Sequence, residues 1–221
     1  MRPKALISWS SGKDSAWALH VVRQAGEFEI AGALTTVTDT FSRVSMHGVR
    51  EELLTAQLDA CGLKPMIVRI PSPCSNEIYE REMGAAMAQA KASGITHVIF
   101  GDLFLEDIRA YREAKLTAAG MQAVFPLWGT PTDRLAREMI AFGLEARLVC
   151  VDLKVLPSSL AGRSFDQNLL DELPAGIDPC GERGEFHTFV TNGPMQQRPI
   201  AVKVGETVER EGFAFAELLP A

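Results

Sequence analysis

Six consecutive residues, Ser10-Ser11-Gly12-Lys13-Asp14-Ser15, put three hydroxyls, a glycine, a cation and a carboxylate into one short stretch. The apolar run Leu6-Ile7-Ser8-Trp9 precedes it and a helix-like segment follows it at once. A helix start offers unsatisfied backbone N–H groups and the positive end of the peptide dipoles. Hydroxyls of Ser10, Ser11 and Ser15 add donors, Gly12 lets an anion approach the backbone closely, and Lys13 adds positive charge. The chemistry expected of such a turn is phosphate binding, with Asp14 fixing the loop or helping to hold Mg²⁺. It is not a Walker loop, because Ile7 stands where the first glycine is required and Asp14 follows the lysine. No Gly-x-Gly-x-x-Gly dinucleotide fingerprint occurs either.

A second cluster lies far down the chain. Cys180-Gly181-Glu182-Arg183-Gly184-Glu185-Phe186-His187-Thr188 holds glycines, carboxylates and a histidine in nine residues. That composition suits proton transfer or a polar substrate better than a core, although a plain surface turn would look similar. Gly101-Asp102, followed by Glu106, Asp107, Arg112 and Glu113, closes another apolar run. A carboxylate there either meets a phosphate-bound Mg²⁺ or is one of the acids that a helix N-terminus favours. His47, in Met46-His47-Gly48-Val49-Arg50, is either structural or a substrate contact. Pro126-Leu127-Trp128 reads as a turn with a packing tryptophan.

The elements that must position these residues alternate. Strands are expected at 4–10, 29–37, 65–70, 96–102, near 121–128 and at 145–153, the last buried. Helices are expected at 15–25, 48–61, about 75–94, 107–119 and from Thr130-Pro131-Thr132 onward. Strands alternating with helices argue for an α/β fold with a mostly parallel sheet covered on both faces, whose ligands bind at the carboxyl ends of the strands. After about residue 153 the segments shorten, and 199–220 reads as two strands joined near Gly212, so a smaller second region is expected, with a soft boundary between 126 and 153.

At 221 residues and 47% hydrophobic, the chain can build a full core. It has no apolar run long enough to span a membrane and no leader pattern, so a cytoplasmic protein is expected. Cys61, Cys74, Cys150 and Cys180 are too scattered for a zinc site or a disulfide framework, with Cys180 left open for its neighbours. A net charge of −6 disfavours nucleic acid as partner.

With these motifs in hand, Ser10–Ser15 resembles the Ser-Gly-Gly-x-Asp-Ser loop of the PP-loop ATP pyrophosphatases, with Ser11 replacing one glycine. Several further pieces, in order, resemble the diphthine–ammonia ligase-like family: Gly101-Asp102 with Arg112-Glu113, Pro126-Leu127-Trp128, Gly162-Arg163 before Phe165-Asp166, and Gly181-Glu182-x-Gly184-Glu185-Phe186-x-Thr188. The resemblance implies a Rossmann-like parallel sheet of the adenine nucleotide alpha hydrolase type with a smaller C-terminal α+β region. Residues 1–128 would form the nucleotide-binding domain and 129–221 a substrate-binding region. It implies ATP and Mg²⁺ as cofactors and an AMP-forming amide ligase that adenylates a small-molecule or protein-borne carboxylate, which ammonia then amidates. Homodimers are compatible with it.

The same resemblance assigns site roles. Ser10, Ser11, Gly12, Lys13, Asp14, Ser15, Leu34, Thr35, Gly101 and Asp102 would bind nucleotide, with Asp102 the Mg²⁺ ligand. Lys13, Asp14, Glu182, Glu185 and His187 would be catalytic, and His47, Arg112, Glu113, Gly184 and Thr188 would bind substrate. Two residues depart from the Glu-Gly-Gly-Glu-Phe-Glu-Thr form of diphthamide-synthesis members, Arg183 for glycine and His187 for glutamate. Met46-His47-Gly48 resembles the bacterial-type members. The alternatives are therefore another acceptor, such as a cobamide-salvage intermediate, or a PP-loop enzyme acting on tRNA.

Overall fold

The computed structural model describes residues 1–38 and 49–221, with the backbone of 43–44; the His47 segment lies outside the described residues. The chain opens with β1 (Lys4–Ser8), whose Ala5, Leu6 and Ile7 are all buried, as a strand covered on both faces requires. Then come α1 (Lys13–Ala25), ended by Gly26 at φ 65°, and β2 (Glu29–Thr38). The short β3 (Arg43–Val44) leads to α2 (Glu51–Ala60) and β4 (Pro65–Ile70). In α3 (Asn76–Ala92) the expected cap is present: Ser75 Oγ accepts the Ile78 N–H at 3.3 Å. Next are β5 (Ile95–Ile99), α4 (Glu106–Ala118), β6 (Gln122–Val124) and α5 (Thr132–Ala141).

The parallel strands are ordered β4-β2-β1-β5-β6. The chain winds outward from β1 through β2 to β4, then returns to β5 on the other side of β1. The crevice of such a sheet lies where the winding reverses, at the carboxyl ends of β1 and β5. Those ends carry Ser10–Ser15 and Gly101-Asp102. The antiparallel β3 pairs with the last two residues of β2, a feature not expected from the sequence.

A second sheet, β8-β7-β10-β9, is antiparallel throughout. It is built from β7 (Glu145–Asp152), β8 (Phe186–Asn192), β9 (Val202–Arg210) and β10 (Phe213–Pro220), with the short α6 (Gln167–Glu172) between β7 and β8. The hairpin around Gly212 is as expected. Strand β7 continues the alternating pattern in sequence but belongs to this second sheet. Its run Leu148-Val149-Cys150-Val151 is buried on both faces and so has no polar alternation, and periodicity does not distinguish such a strand from a parallel one.

One buried apolar cluster joins the two sheets, running from Ile7, Trp17 and Leu53 to Leu148, Phe186 and Phe189. The opposite face of the parallel sheet carries α3 and α4 over Leu6, Leu34, Val98 and Phe100. Among the described residues, no helix is long and apolar enough to cross a membrane.

Candidate functional site

The turn from β1 into α1 is knitted by its own hydroxyls. Ser15 Oγ donates to the Gly12 carbonyl at 3.0 Å, so its 3.1 Å contact with Ser10 Oγ must take the proton of Ser10. Ser10 Oγ in turn accepts the Gly12 N–H at 3.3 Å. Ser11 is fully buried at φ 69°, the left-handed region that favours glycine, and its hydroxyl has no hydrogen-bond partner among the described residues. S11G therefore removes a strained backbone and an orphaned hydroxyl together. Denaturant titration should show it more stable by about 1 kcal/mol, after the entropy glycine adds to the unfolded chain is subtracted.

Lys13 is only 2% exposed. Its Nζ donates to both Asp14 oxygens, at 3.0 and 2.9 Å, and to the Cys180 carbonyl, and it lies 5.5 and 5.4 Å from the ring centroids of Phe165 and Phe186. Burial alone would lower its pKa, but Asp14 and its other negative neighbours outweigh that and raise it. The Lys13 backbone N–H donates to Thr188 Oγ1 at 3.1 Å. The lysine expected to face a leaving group thus ties the loop to the 180–188 segment.

Two more residues, not anticipated from sequence, hold the loop. The side chain of Gln57 is fully buried on α2; its Nε2 donates to the carbonyls of Ser11 (3.1 Å) and Val190 (2.7 Å), while Oε1 accepts the Trp9 indole N–H at 2.8 Å. The signal was a polar residue on the apolar stripe Leu53-Leu54-Leu58. Val190 also donates its N–H to the Ser11 carbonyl at 3.0 Å.

At the end of β5, a Cβ on Gly101 would stand 2.6 Å from the Asp14 carbonyl carbon and 2.8 Å from the Ser15 nitrogen. Gly101 is thus required for the strand end to pack on the first turn of α1. G101A should cost roughly 1–3 kcal/mol of stability by forcing the two apart, measurable as a lowered denaturation midpoint. A midpoint equal to that of the unaltered protein would show the contact to be slack.

The 180–188 segment presents Glu182. Its Oε1 accepts the Leu103 N–H at 2.8 Å, and its backbone N–H donates to Asp178 Oδ2 at 2.8 Å. Burial pushes the Glu182 carboxyl up to about 7; the Leu103 N–H opposes this, and Asp14 and Asp102 add to it. The imidazole of His187 is pushed down to about 4, first by burial and then by Lys13, and is neutral at pH 7. Burial also raises the Cys180 thiol, which is inert as a nucleophile there. Glu185 is buried and accepts the N–H groups of Asp178 (3.1 Å) and Arg183 (3.0 Å), so its carboxylate shapes the turn. Asp178 plays the same part and was missed in the sequence.

Two adjoining cavities meet at the reversal point. One, about 220 Å³, is lined by Ser10, Gly12 to Ser15, Gly101, Asp102, Glu182, His187 and Thr188. The other, about 350 Å³, lies between the tip of β2 and helices α3 and α4, with Leu34, Tyr79, Met83, Met87 and Leu116 in its wall. Ser8, Ser10, Phe100 and Arg112 line both. Leu34 faces the larger cavity, whereas Thr35 alternates to the α1–α2 side, with Ala33 and Val37, and borders it through its backbone. Arg112 Nε lies 3.1 Å from both oxygens of Asp102. Glu113, Glu185, Gly184 and Ser11 line neither cavity; Glu113 instead accepts from Arg109 Nε at 2.8 Å. Asp14, Asp102 and Glu182 all line the smaller cavity; Asp14 and Asp102 are the pair that could hold Mg²⁺, which typically takes one or two carboxylates.

Residues 131–217 match the family model of the diphthamide synthase C-terminal domain. The chain is 34% identical over 101 residues to the diphthine–ammonia ligases of Homo sapiens and Rattus norvegicus, covering 43% of this chain and 38% of each relative. It is 34% identical over 102 residues to that of Danio rerio, covering 43% and 40%. The match thus spans about two-fifths of the length of these curated relatives. Together the matches make this chain similar, over part of its length, to diphthine–ammonia ligases.

Proposed function

We propose that this chain, similar in part to diphthine–ammonia ligases, is an ATP-dependent, AMP-forming amide ligase. One observation carries the proposal: an apolar cavity of base size opens into a polar one built from the Ser10–Ser15 turn and closed by Glu182 and His187. Adenine and ribose fit the larger cavity, with the backbone of Leu34 and Thr35 at its edge, and the triphosphate runs into the smaller. Residues 1–128 supply the nucleotide site and 129–221 most of the acceptor side.

In the first step an oxygen of the acceptor carboxylate bonds to the α-phosphorus. The bond to the bridging oxygen breaks, and pyrophosphate leaves with that electron pair toward the positive, N-terminal end of α1. In the second step ammonia attacks the acyl carbon and AMP leaves. The proton lost by nitrogen passes to Glu182, whose raised pKa suits a base working near neutrality. Neutral His187 accepts a hydrogen bond from the acceptor or from ammonia. Asp14 and Asp102 would hold Mg²⁺, which would offset the negative charge of the phosphates.

A crystal structure with ATP and Mg²⁺ tests this directly. The triphosphate should lie along residues 10–15, with adenine between the tip of β2 and α3. Nucleotide bound elsewhere, or none bound at millimolar ATP, would remove the basis for a ligase.

A further inference from the structure

We infer that Arg112 is the cation that grips the α-phosphoryl group, the role a lysine inside the loop would otherwise fill. The inference rests on the nucleotide site proposed for the two cavities and goes further by placing the reacting phosphorus within it. Lys13 cannot serve there, since its ammonium has three acceptors and is buried under two aromatic rings. Of the residues common to both cavities, Arg112 is the one that carries charge. Lys115 lines the larger cavity alone and is paired with Glu80 at 2.6 Å.

The base belongs in one cavity and the departing pyrophosphate in the other, so the α-phosphorus belongs at their junction. Arg112 is held there in a defined pose. Its guanidinium carbon sits 4.4 Å from the Phe100 ring centroid, and its Nε contacts Asp102. The two terminal nitrogens have no hydrogen-bond partner among the described residues, which leaves the fork free for two oxygens of one phosphoryl group. As the carboxylate oxygen bonds to phosphorus and the bridging oxygen departs with its electrons, negative charge on the non-bridging oxygens meets this fork. Asp102 then acts on Arg112 as a positioning residue, holding it through the nitrogen that phosphate does not need.

Titration calorimetry of the full chain with adenosine, AMP and pyrophosphate, each alone, tests this without an acceptor. R112Q should lose AMP affinity by about tenfold or more while adenosine and pyrophosphate stay within about twofold. R112K, which keeps charge but lacks the fork, should recover only part of the AMP affinity. Equal losses for adenosine and AMP would make Arg112 a wall of the base cavity, equal losses for pyrophosphate and AMP would place it on the leaving group, and unchanged AMP affinity would free it from phosphate; each overturns the inference while leaving the nucleotide site standing. If R112Q fails to fold, R112K carries the same three comparisons. Binding of none of the three probes by the unaltered protein would overturn the nucleotide site itself, and this inference with it.

Discussion

K13M is expected to lose roughly 2–3 kcal/mol of folding stability, less than the cost of breaking a fully buried ion pair because Asp14 is 27% exposed at the cavity. The methionine keeps the volume between Phe165 and Phe186 but leaves Asp14 without its counter-ion and the Cys180 carbonyl without its donor. K13M/D14N should recover part of the loss, because the uncompensated carboxylate goes as well. Guanidinium titration of the two variants measures both effects. A K13M protein that keeps its stability but loses pyrophosphate binding would mean that the lysine serves phosphate directly. The raised pKa of Lys13 adds a pH dependence of known sign. Its ion-pair contribution is fully present below the ordinary lysine value of 10.5 and is lost as pH rises through the higher folded value.

E182Q is expected to lower the amidation rate by about 10² to 10⁴-fold if Glu182 is the base. The rate of the unaltered protein should climb with pH through about 7, as the carboxyl deprotonates, and E182Q should lack that inflection. Stability moves the other way. With a folded value near 7 above an ordinary 4.5, the folded chain holds a proton that the unfolded chain releases first. Glu182 therefore makes the fold progressively less stable as pH rises from 4.5 to 7, with no further change above, and E182Q should remove this slope. A rate inflection that persists in E182Q would assign the titration to another group.

The α/β class and the strand–turn–helix around Ser10–Ser15 were legible because both are local. The apolar run of β1, the hydroxyl cluster and the start of α1 lie within a dozen residues, and chain order alone then puts Gly101-Asp102 on the same edge. The Ser75 cap and the hairpin at Gly212 were legible for the same reason. The membership of β7 was not, since a strand covered on both faces shows unbroken apolar residues whether its neighbours run parallel or antiparallel. The destination of Lys13 was not legible either. Its position after Gly12 gave no sign that Cys180, 167 residues later, would draw its ammonium inward. Glu185 and Glu182 have the same side chain three residues apart, and only the turn that Asp178 closes decides which of them faces the cavity.

The carbonyl of Ser11 is shared by β8 and α2, through Val190 and Gln57, and the apolar cluster beneath it contains side chains from both sheets. Neither half can therefore melt while the other stays intact, and heating should produce a single calorimetric transition with matching calorimetric and van't Hoff enthalpies. A fragment ending near residue 128 would expose Trp17 and Leu53 to water and associate with itself. The Ser10–Ser15 turn is in this sense a product of distant parts of the chain, fixed only when β8 has docked against it.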